Sequence, residues 1–280
     1  MTTESVRQLD AEALEFFARK GSEGGPDVPQ AGQANGVKVR RVMQITRDLG
    51  RQPFEKLRIL DLGCGDGVYA IEGGLRGAEV VALDARAQRM DQGAACAQRH
   101  GLSTVRFVQE DVRRVTRATF GSFDVVYLLG LLYHLNAPDV FSVLENIHDL
   151  CTGLLLVDTL ISLQTETHVE WWGQKYQGQQ SREHEDGDTD EVRRSRVLKS
   201  IDNTVSFRFT RESLLRVLHD VGFTSVYECA VPFEPGKAED RISLVALKGA
   251  PVLLSTYPWV NHKSESEIER ALRSGGGAGE

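Results

Sequence analysis

Three glycines and a carboxylate form the part of this sequence best suited to hold a ligand. Asp61, Gly63, Gly65 and Gly67 lie at the end of, and directly after, the short apolar run 57–62. Because glycine has no Cβ atom, the backbone amides of such a turn can approach a bound molecule closely. A glycine-rich turn between a strand and a helix is typical of small-molecule sites in α/β domains. The segment therefore predicts a ligand at the carboxyl end of the first strand.

Two further carboxylates follow the next two predicted strands. Asp84 ends the strand predicted at 79–84. It stands about 20 residues after the glycine turn, the spacing at which a carboxylate accepts hydrogen bonds from ribose hydroxyls. Asp111 lies just beyond the strand predicted at 104–109. The pattern favours a ligand that contains a nucleoside.

The end of the fourth predicted strand, 123–129, carries a candidate base. Leu129 ends this strand, and Tyr133 and His134 follow it closely. Histidine has its ordinary pKa near neutrality, so His134 is a candidate to remove a proton from a substrate. In the alternative interpretation Tyr133 packs beneath the ligand and His134 only fills the floor of the site.

A cluster of aromatic and titratable residues between 160 and 205 is the predicted acceptor pocket. Aromatic walls suit a small and partly apolar molecule. Glu170 lies among tryptophans, where burial would raise its pKa and make it a second candidate base. Alternatively, Glu170 faces solvent beside tryptophans that anchor the core. The predicted pocket residues are His168, Glu170, Trp171, Trp172 and Tyr176.

Charged residues follow this cluster. An acidic run at 183–191 precedes several arginines, and such runs usually lie on the solvated surface. Alternatively, a basic group is a candidate to bind a phosphate or carboxylate of a substrate, with Mg²⁺ recruited by carboxylates if that group is a diphosphate. Its members are Arg193, Arg194, Arg196, Lys199, Arg208 and Arg211, and the predicted substrate contacts are Arg182 and Arg208. No dedicated metal site is predicted.

Predicted strands and helices alternate along most of the chain, which indicates βαβ units and a parallel sheet covered on both faces. We therefore predict a doubly wound α/β fold with a mainly parallel, seven-stranded sheet, an antiparallel last strand, a helical N-terminal extension and a cap. The strands are predicted at 57–62, 79–84, 104–109, 123–129, 153–158, 223–231 and 241–247, and the main helices at 5–20, 37–49, 86–100, 138–151 and 210–220. Residues 21–36, rich in Gly, Pro and Gln, predict a loop or hinge.

The predicted domain organisation has five parts. They are an N-terminal helical extension or lid at 1–52, a ligand-binding core at 53–159, a cap at 160–205, the rest of the core at 206–250, and an extension at 251–280 that ends in a disordered tail.

Composition excludes several classes of protein. The net charge of −7 and the isoelectric point near 5.6 make nucleic acid an unfavourable partner. The four cysteines form no C-x-x-C pair, so neither a zinc site nor a disulfide framework is predicted. No apolar run reaches the ~18 residues that a membrane span needs. We expect a cytoplasmic protein with a small-molecule substrate and leave open whether it forms a homo-oligomer.

The glycine turn resembles that of the class I, Rossmann-like methyltransferases that use S-adenosylmethionine (SAM). The resemblance rests on the segments Leu60-Asp61-Leu62-Gly63-Cys64-Gly65-Asp66-Gly67 and Ala82-Leu83-Asp84. It implies that Asp61, Gly63 and Gly65 hold the methionine part of SAM, that Asp84 with Ala85 binds ribose, and that Asp111 with Val112 contacts adenine. It also implies that Leu129 borders the cofactor and that Tyr133 and His134 face the transferred methyl group. The predicted function is methylation of a small molecule in specialised metabolism, on oxygen, nitrogen or carbon.

Other functions remain open from the sequence. A dinucleotide site would need a third glycine where Val68 stands, and Asp66 would repel a pyrophosphate there. The stretch from Glu170 to Phe207 is similar to bacterial prenyl diphosphate C-methyltransferases, which implies Glu170 as base and a role for Mg²⁺. The segment 130–134 is similar to tRNA wobble-uridine carboxymethyltransferases. A module that binds SAM without catalysis is the alternative outside the enzymes.

Overall fold

Helices and strands alternate along residues 28–230 and 237–250, the part of the chain that the computed structural model describes. The strands of this part are β1 (Arg58–Leu62), β2 (Glu79–Asp84), β3 (Val105–Gln109), β4 (Phe123–Leu129), β5 (Cys151–Leu160), β6 (Thr167–Trp171), β7 (Gln174–Arg182), β8 (Val205–Phe209), β9 (Ser225–Glu228) and β10 (Arg241–Leu247). The helices are α1 (Val28–Leu49), α2 (Val68–Leu75), α3 (Ala87–Arg99), α4 (Arg117–Phe120), α5 (Asp139–Leu150), α6 (Asp190–Ser195) and α7 (Arg211–Asp220). None of these helices is long and apolar enough to cross a membrane.

The central sheet has seven strands in the order β3-β2-β1-β4-β5-β10-β9. β1 to β5 pair in parallel, whereas β10 is antiparallel to both β5 and β9. The inner strands are apolar on both faces because helices cover both sides, so Ile59 and Leu60 of β1 are fully buried. The predicted doubly wound α/β fold and its antiparallel last strand are confirmed.

The two faces of β4 point into two separate hydrophobic layers. Val126 and Leu128 pack on the side of α5 and α7, and Val125 and Tyr127 pack on the side of α1 and α2. The buried Tyr127 hydroxyl lies 2.8 Å from the Thr46 hydroxyl of α1, so a hydrogen bond joins the N-terminal helix to the middle of the sheet.

Helix α1 begins earlier than the sequence indicates. The pattern predicts a loop at 21–36 and a helix from 37, but residues 28–36 are already helical. Pro29 falls in the first turn, where its missing N–H has no partner to lose, so it does not break the helix. The predicted helix at 5–20 and the extension at 251–280 lie outside the described residues.

A second, three-stranded antiparallel sheet in the order β6-β7-β8 builds the cap. β8 pairs with β7 from Val205 to Phe209, so residues predicted to continue the core belong to this smaller sheet. Its inner face is aromatic, because Tyr176 and Phe209 are buried against Phe141 of α5, with ring centres 5.2 and 5.4 Å apart. These contacts hold the small sheet on α5.

Candidate active site

A cavity of about 550 Å³ lies at the carboxyl ends of β1, β2 and β4. β2 and β4 lie on opposite sides of β1, so the chain changes direction there, and such switch points form crevices in open α/β sheets. The glycine turn, residues 110–113 and cap residues between 197 and 203 close its sides. Of the residues predicted to hold the nucleoside, those that line it are Gly63, Gly65, Asp84, Ala85, Asp111, Val112 and Leu129.

The glycine turn adopts backbone conformations that other residues disfavour. Gly63 and Gly65 have φ angles of 67° and 54°, in the left-handed region. A Cβ atom on Gly63 would also lie 3.0 Å from Cδ2 of Leu131, so the turn has no room for a side chain there. The Cys64 amide donates a 2.9 Å hydrogen bond to the carbonyl of Leu83 and fixes the turn to β2. The backbone therefore forms the floor of the cavity.

Asp84 links the glycine turn to the loop after β2. Its carboxylate accepts hydrogen bonds from the Gly65 amide at 3.1 Å and from the Arg86 amide at 2.9 Å. The residue is only 7% exposed yet borders the cavity. The carboxylate is therefore held in a fixed position from which it can accept a hydrogen bond from a ligand hydroxyl.

Asp61 lies behind the glycine turn and does not line the cavity. It is 1% exposed, and its Oδ2 atom has no hydrogen-bond partner among the residues that the structure describes. Burial, and secondarily the nearby charge of Asp84, raises the pKa of Asp61 to about 7. The structure therefore gives no support to a direct contact of Asp61 with a ligand, and Asp61 can act on a ligand in the cavity only through its charge.

Asp111 is engaged with Arg113. Its carboxylate accepts hydrogen bonds from the Arg113 amide at 2.9 Å and from the Arg113 guanidinium at 2.5 Å. Burial alone would raise the pKa of Asp111, but the Arg113 hydrogen bonds and charge hold it below its usual range. Arg113 also contacts Asp202 of the cap at 2.6 Å. The loop after β3 and the cap are thus joined beside the cavity.

His134 and Glu183 form a hydrogen-bonded pair at the cavity wall. Nδ1 of His134 lies 3.1 Å from both carboxylate oxygens of Glu183, and both residues line the cavity. Glu183 is buried and accepts further 2.9 Å hydrogen bonds from the Ser200 amide and the Ser206 hydroxyl. The carboxylate fixes Nδ1 as the protonated nitrogen, which leaves Nε2 free to accept a proton.

The ionised form of Glu183 is favoured by these partners. Burial by itself would raise the pKa of Glu183, but hydrogen bonds and charge from His134, with those from Ser200 and Ser206, hold it below its usual range. Sequence reasoning missed this residue, because Glu183 opens the acidic run 183–191 and nothing in its local pattern separates it from solvated neighbours.

Solved structures of methyltransferases share this fold. The N-terminal domain of EvdMO1 with SAH bound is 19% identical, and the match covers 76% of this chain and 80% of that domain with a TM-score of 0.57. Magnesium protoporphyrin IX methyltransferase from Synechocystis PCC 6803 with bound SAM is 15% identical, with 79% and 83% of the two chains covered and a TM-score of 0.53.

Sequence comparison identifies the same domain. Residues 59–152 match the family described as a methyltransferase domain. This segment of the chain is therefore a methyltransferase domain. Ubiquinone biosynthesis O-methyltransferase from Caulobacter sp. strain K31 is 28% identical over 158 residues, which is 55% of this chain and 62% of the relative. The enzyme of the same name from Ruegeria pomeroyi is 33% identical over 124 residues, 42% and 47% of the two lengths. The chain thus aligns with about half the length of these curated relatives.

The aromatic cluster predicted as the acceptor pocket does not line the cavity of the methyltransferase domain. Alternation along β6 turns His168 and Glu170 outward and Trp171 inward, where it stacks on Phe141 with ring centres 5.1 Å apart. The Glu170 side chain is 67% exposed and lies 3.6 Å from Lys175. This position gives no geometric support to Glu170 as the base, and matches the solvent-facing alternative.

The remaining predicted pocket residues make structural contacts. The Trp172 indole donates to Glu145, and the Tyr176 hydroxyl donates to Asp220 at 2.6 Å. Arg182 forms an exposed ion pair with Glu185 at 2.8 Å. None of the three predicted residues lines the cavity of the methyltransferase domain, so their predicted substrate contacts have no geometric support.

Arg208 and Tyr133, in contrast, line the cavity beside His134. The Tyr133 and His134 rings have centres 4.2 Å apart, and the Arg208 guanidinium carbon lies 5.9 Å from the centre of the Tyr133 ring. These three side chains line the same cavity as the glycine turn, and Tyr133 and His134 lie just after β4.

Arg86 connects the cap to the methyltransferase domain. Its guanidinium donates hydrogen bonds of 2.9 to 3.2 Å to four backbone carbonyls of the cap segment 194–200. Val197 and Leu198 of this segment line the cavity, although Leu198 is 77% exposed. The cap segment therefore forms a wall of the cavity, and Arg86, two residues after Asp84, is one of the side chains that hold it there. Over the described ranges, no group of three or more His, Cys, Asp or Glu side chains is arranged to hold a metal ion.

Proposed function

We propose that this protein transfers the methyl group of SAM to a hydroxyl oxygen of a small molecule. The observation that carries the proposal is the His134–Glu183 pair, which lines the same cavity as the glycine turn and Asp84. A base held by a buried carboxylate is what removal of a hydroxyl proton requires. The curated relatives named ubiquinone biosynthesis O-methyltransferase support oxygen as the acceptor atom.

The charge of the cavity floor supports a cationic donor. Asp66 lines the cavity just before α2 begins at Val68, so a carboxylate lies where a dinucleotide would place a pyrophosphate. SAM carries a sulfonium and no phosphate, and the solved relatives of this fold contain SAH or SAM. In our proposal Gly63 and Gly65 hold the methionine part, Asp84 the ribose, and Asp111 with Val112 the adenine.

The proposed chemistry needs one base and one positioning residue. When bound, SAM would supply the methyl group to the attacking oxygen and would leave as SAH. His134 accepts the hydroxyl proton at Nε2 as the oxygen–carbon bond forms and the carbon–sulfur bond breaks. Glu183 holds the ring at Nδ1 and stabilises the imidazolium that results.

Position argues against the alternative base. Glu170 lies on the outer face of β6, away from the cavity, so a carbon methylation that depends on Glu170 gains no support from the geometry. His134 instead stands at the cavity wall, with its ring fixed by a carboxylate. Oxygen methylation with His134 as base is therefore the function that the described residues support best.

Transfer of a labelled methyl group tests the proposal. The protein is mixed with methyl-labelled SAM and a pool of small hydroxylated metabolites, and calorimetry measures SAH affinity separately. We expect the parent to bind SAH and to label an acceptor. His134→Gln should lower the labelling rate about 100-fold or more, the contribution of a general base, while its SAH affinity stays within about twofold.

The matched control is His100→Gln, an exposed histidine that ends α3 outside the cavity. We expect this variant to keep both the affinity and the rate. A parent that binds SAH but labels nothing would favour a binding module without catalysis. Labelling by the His134 variant at the parent rate would remove His134 as the base.

A further inference from the structure

Arg208 is a positively charged side chain at the cavity wall, and its one ion pair within the described residues, with Asp240, is long. Nη1 of Arg208 and Oδ2 of Asp240 are 3.9 Å apart, which is too long for a hydrogen bond. Its Nε atom is buried and has no hydrogen-bond partner. The protein, as far as it is described, therefore does not use all the hydrogen-bond donors of this guanidinium.

The other arginine and lysine side chains that line the cavity either form hydrogen bonds within the protein or lie at the glycine turn. Arg86 donates to four backbone carbonyls of the cap, and Arg113 is paired with Asp111 and Asp202. Lys199 donates to a backbone carbonyl. Arg89 lies over the glycine turn, where a Cβ atom on Gly65 would be 2.7 Å from Nη2. Arg208 is therefore the cation placed for the acceptor end of the cavity.

A second arginine close to the same tyrosine shows the contrast. The Arg241 guanidinium carbon lies 6.0 Å from the Tyr133 ring centre, but Arg241 forms a close ion pair with the buried Asp158. Its charge is therefore balanced within the protein. Arg208, 25% exposed, has only the longer and partly exposed pair with Asp240, so its guanidinium stays available to a bound anion.

The positions of Arg208 and the base put an upper limit on the length of the acceptor between them. The Arg208 guanidinium lies 5.9 Å from the Tyr133 ring centre, and the His134 ring lies 4.2 Å from it, so the guanidinium and the imidazole are within about 10 Å of each other. A molecule of about one ring can span that distance. Leu131, Leu135 and Leu160 line the same cavity and suit an apolar body between the two groups.

We propose that Arg208 binds a carboxylate of the acceptor, so that the substrate of this site is a compact hydroxy acid with an apolar body. The inference rests on the proposed function and deepens it. The carboxylate accepts hydrogen bonds from the guanidinium and is not consumed, while the hydroxyl at the other end loses its proton to His134. A carboxylate fits better than a phosphate dianion, because Arg208 supplies one positive charge and Asp240 lies close by.

Matched acids and esters test this proposal. Calorimetry measures the affinity of the protein–SAH complex for 3-hydroxybenzoate, 3,4-dihydroxybenzoate and 3-(4-hydroxyphenyl)propanoate, each against its neutral methyl ester, and for 3-hydroxyphenyl phosphate. The variants are Arg208→Gln and, as control, Arg211→Gln. Arg211 is half exposed and pairs with Glu228 outside the cavity.

We expect at least one acid to bind the parent about 10- to 100-fold more tightly than its ester, the range for a charge-assisted hydrogen bond. Arg208→Gln should abolish that preference and leave the ester affinity and the SAH affinity within about twofold, and Arg211→Gln should keep the preference.

Three results would overturn the proposal: no acid preferred over its ester, a preference that survives in Arg208→Gln, or a phosphate bound more tightly than every acid. SAH binding separates the two levels of inference. A parent that fails to bind SAH contradicts the proposed function, whereas one that binds SAH and shows no acid preference contradicts only the role of Arg208.

Discussion

Replacing Asp61 with asparagine should stabilise the protein at neutral and alkaline pH. Burial and the neighbouring charge of Asp84 raise the pKa of Asp61 from 3.8 to about 7 in the folded chain. Between these values the folded protein holds a proton that the unfolded chain has lost, so stability falls as the pH rises through this window. The shift corresponds to about 4 kcal/mol above pH 7. An asparagine side chain at this position would carry no charge at any pH.

We expect Asp61→Asn to raise the free energy of unfolding by about 2–4 kcal/mol at pH 8, after allowance for altered hydrogen bonding to the amide of Ala70. The gain should be less than half as large at pH 5, where the parent carboxyl is mostly protonated. Urea unfolding of parent and variant at both pH values measures the difference.

The control is Asp149→Asn, which removes an exposed carboxylate 3.8 Å from Arg117. This variant should follow the parent at both pH values within about 0.5 kcal/mol. A gain from Asp61→Asn that is equal at pH 5 and pH 8, or larger at pH 5, would refute the account of a buried carboxylate destabilised by its ionised form.

Two further predictions concern the cavity wall. Glu183→Gln should lower the methyl transfer rate about 100-fold with little change in SAH affinity. It should also displace the acid limb of the rate–pH profile, because the base must be unprotonated to act, and a purely structural role would leave that limb in place. Glu183→Gln should also make folding less sensitive to acid. The pKa of Glu183 in the folded protein is held below the ordinary 4.5, so the stability that its ionised form contributes is lost as the pH falls through that lowered pKa. An unchanged acid unfolding midpoint would contradict this. Arg86→Gln should speed amide hydrogen exchange of the cap segment 194–200 about 10-fold or more, since four hydrogen bonds are lost, and exchange at the parent rate would show that other contacts hold the cap.

The central sheet was predictable because its strands are short apolar runs that end in distinctive residues. β4 at 123–129 and β10 at 241–247 have the predicted bounds, and the glycine turn lies at the predicted strand end. Asp84 lies at the cavity for the same reason, since the end of a buried parallel strand must open on this edge of the sheet.

The cap could not be predicted in the same way, because its contacts are made with residues far away in the sequence. The aromatic cluster around Trp171 has the composition of a binding pocket, but it packs on Phe141 of α5 instead. Glu183 is buried and accepts hydrogen bonds from Ser200 and Ser206, and no local pattern in its charged run indicates this burial. Composition indicated the chemistry of these residues, whereas tertiary packing decided which of them reach the cavity.

Calorimetric titration with SAH and with NAD tests most directly whether the cavity beside Asp84 is a methyl-donor site. We expect SAH to bind and NAD not to bind. Asp84→Ala should weaken SAH binding by about 1–3 kcal/mol, the scale of losing charge-assisted hydrogen bonds, with Asp84→Asn as a second variant and thermal melting as the check that both fold. Binding of NAD without SAH, or SAH affinity unchanged in both folded variants, would contradict the account.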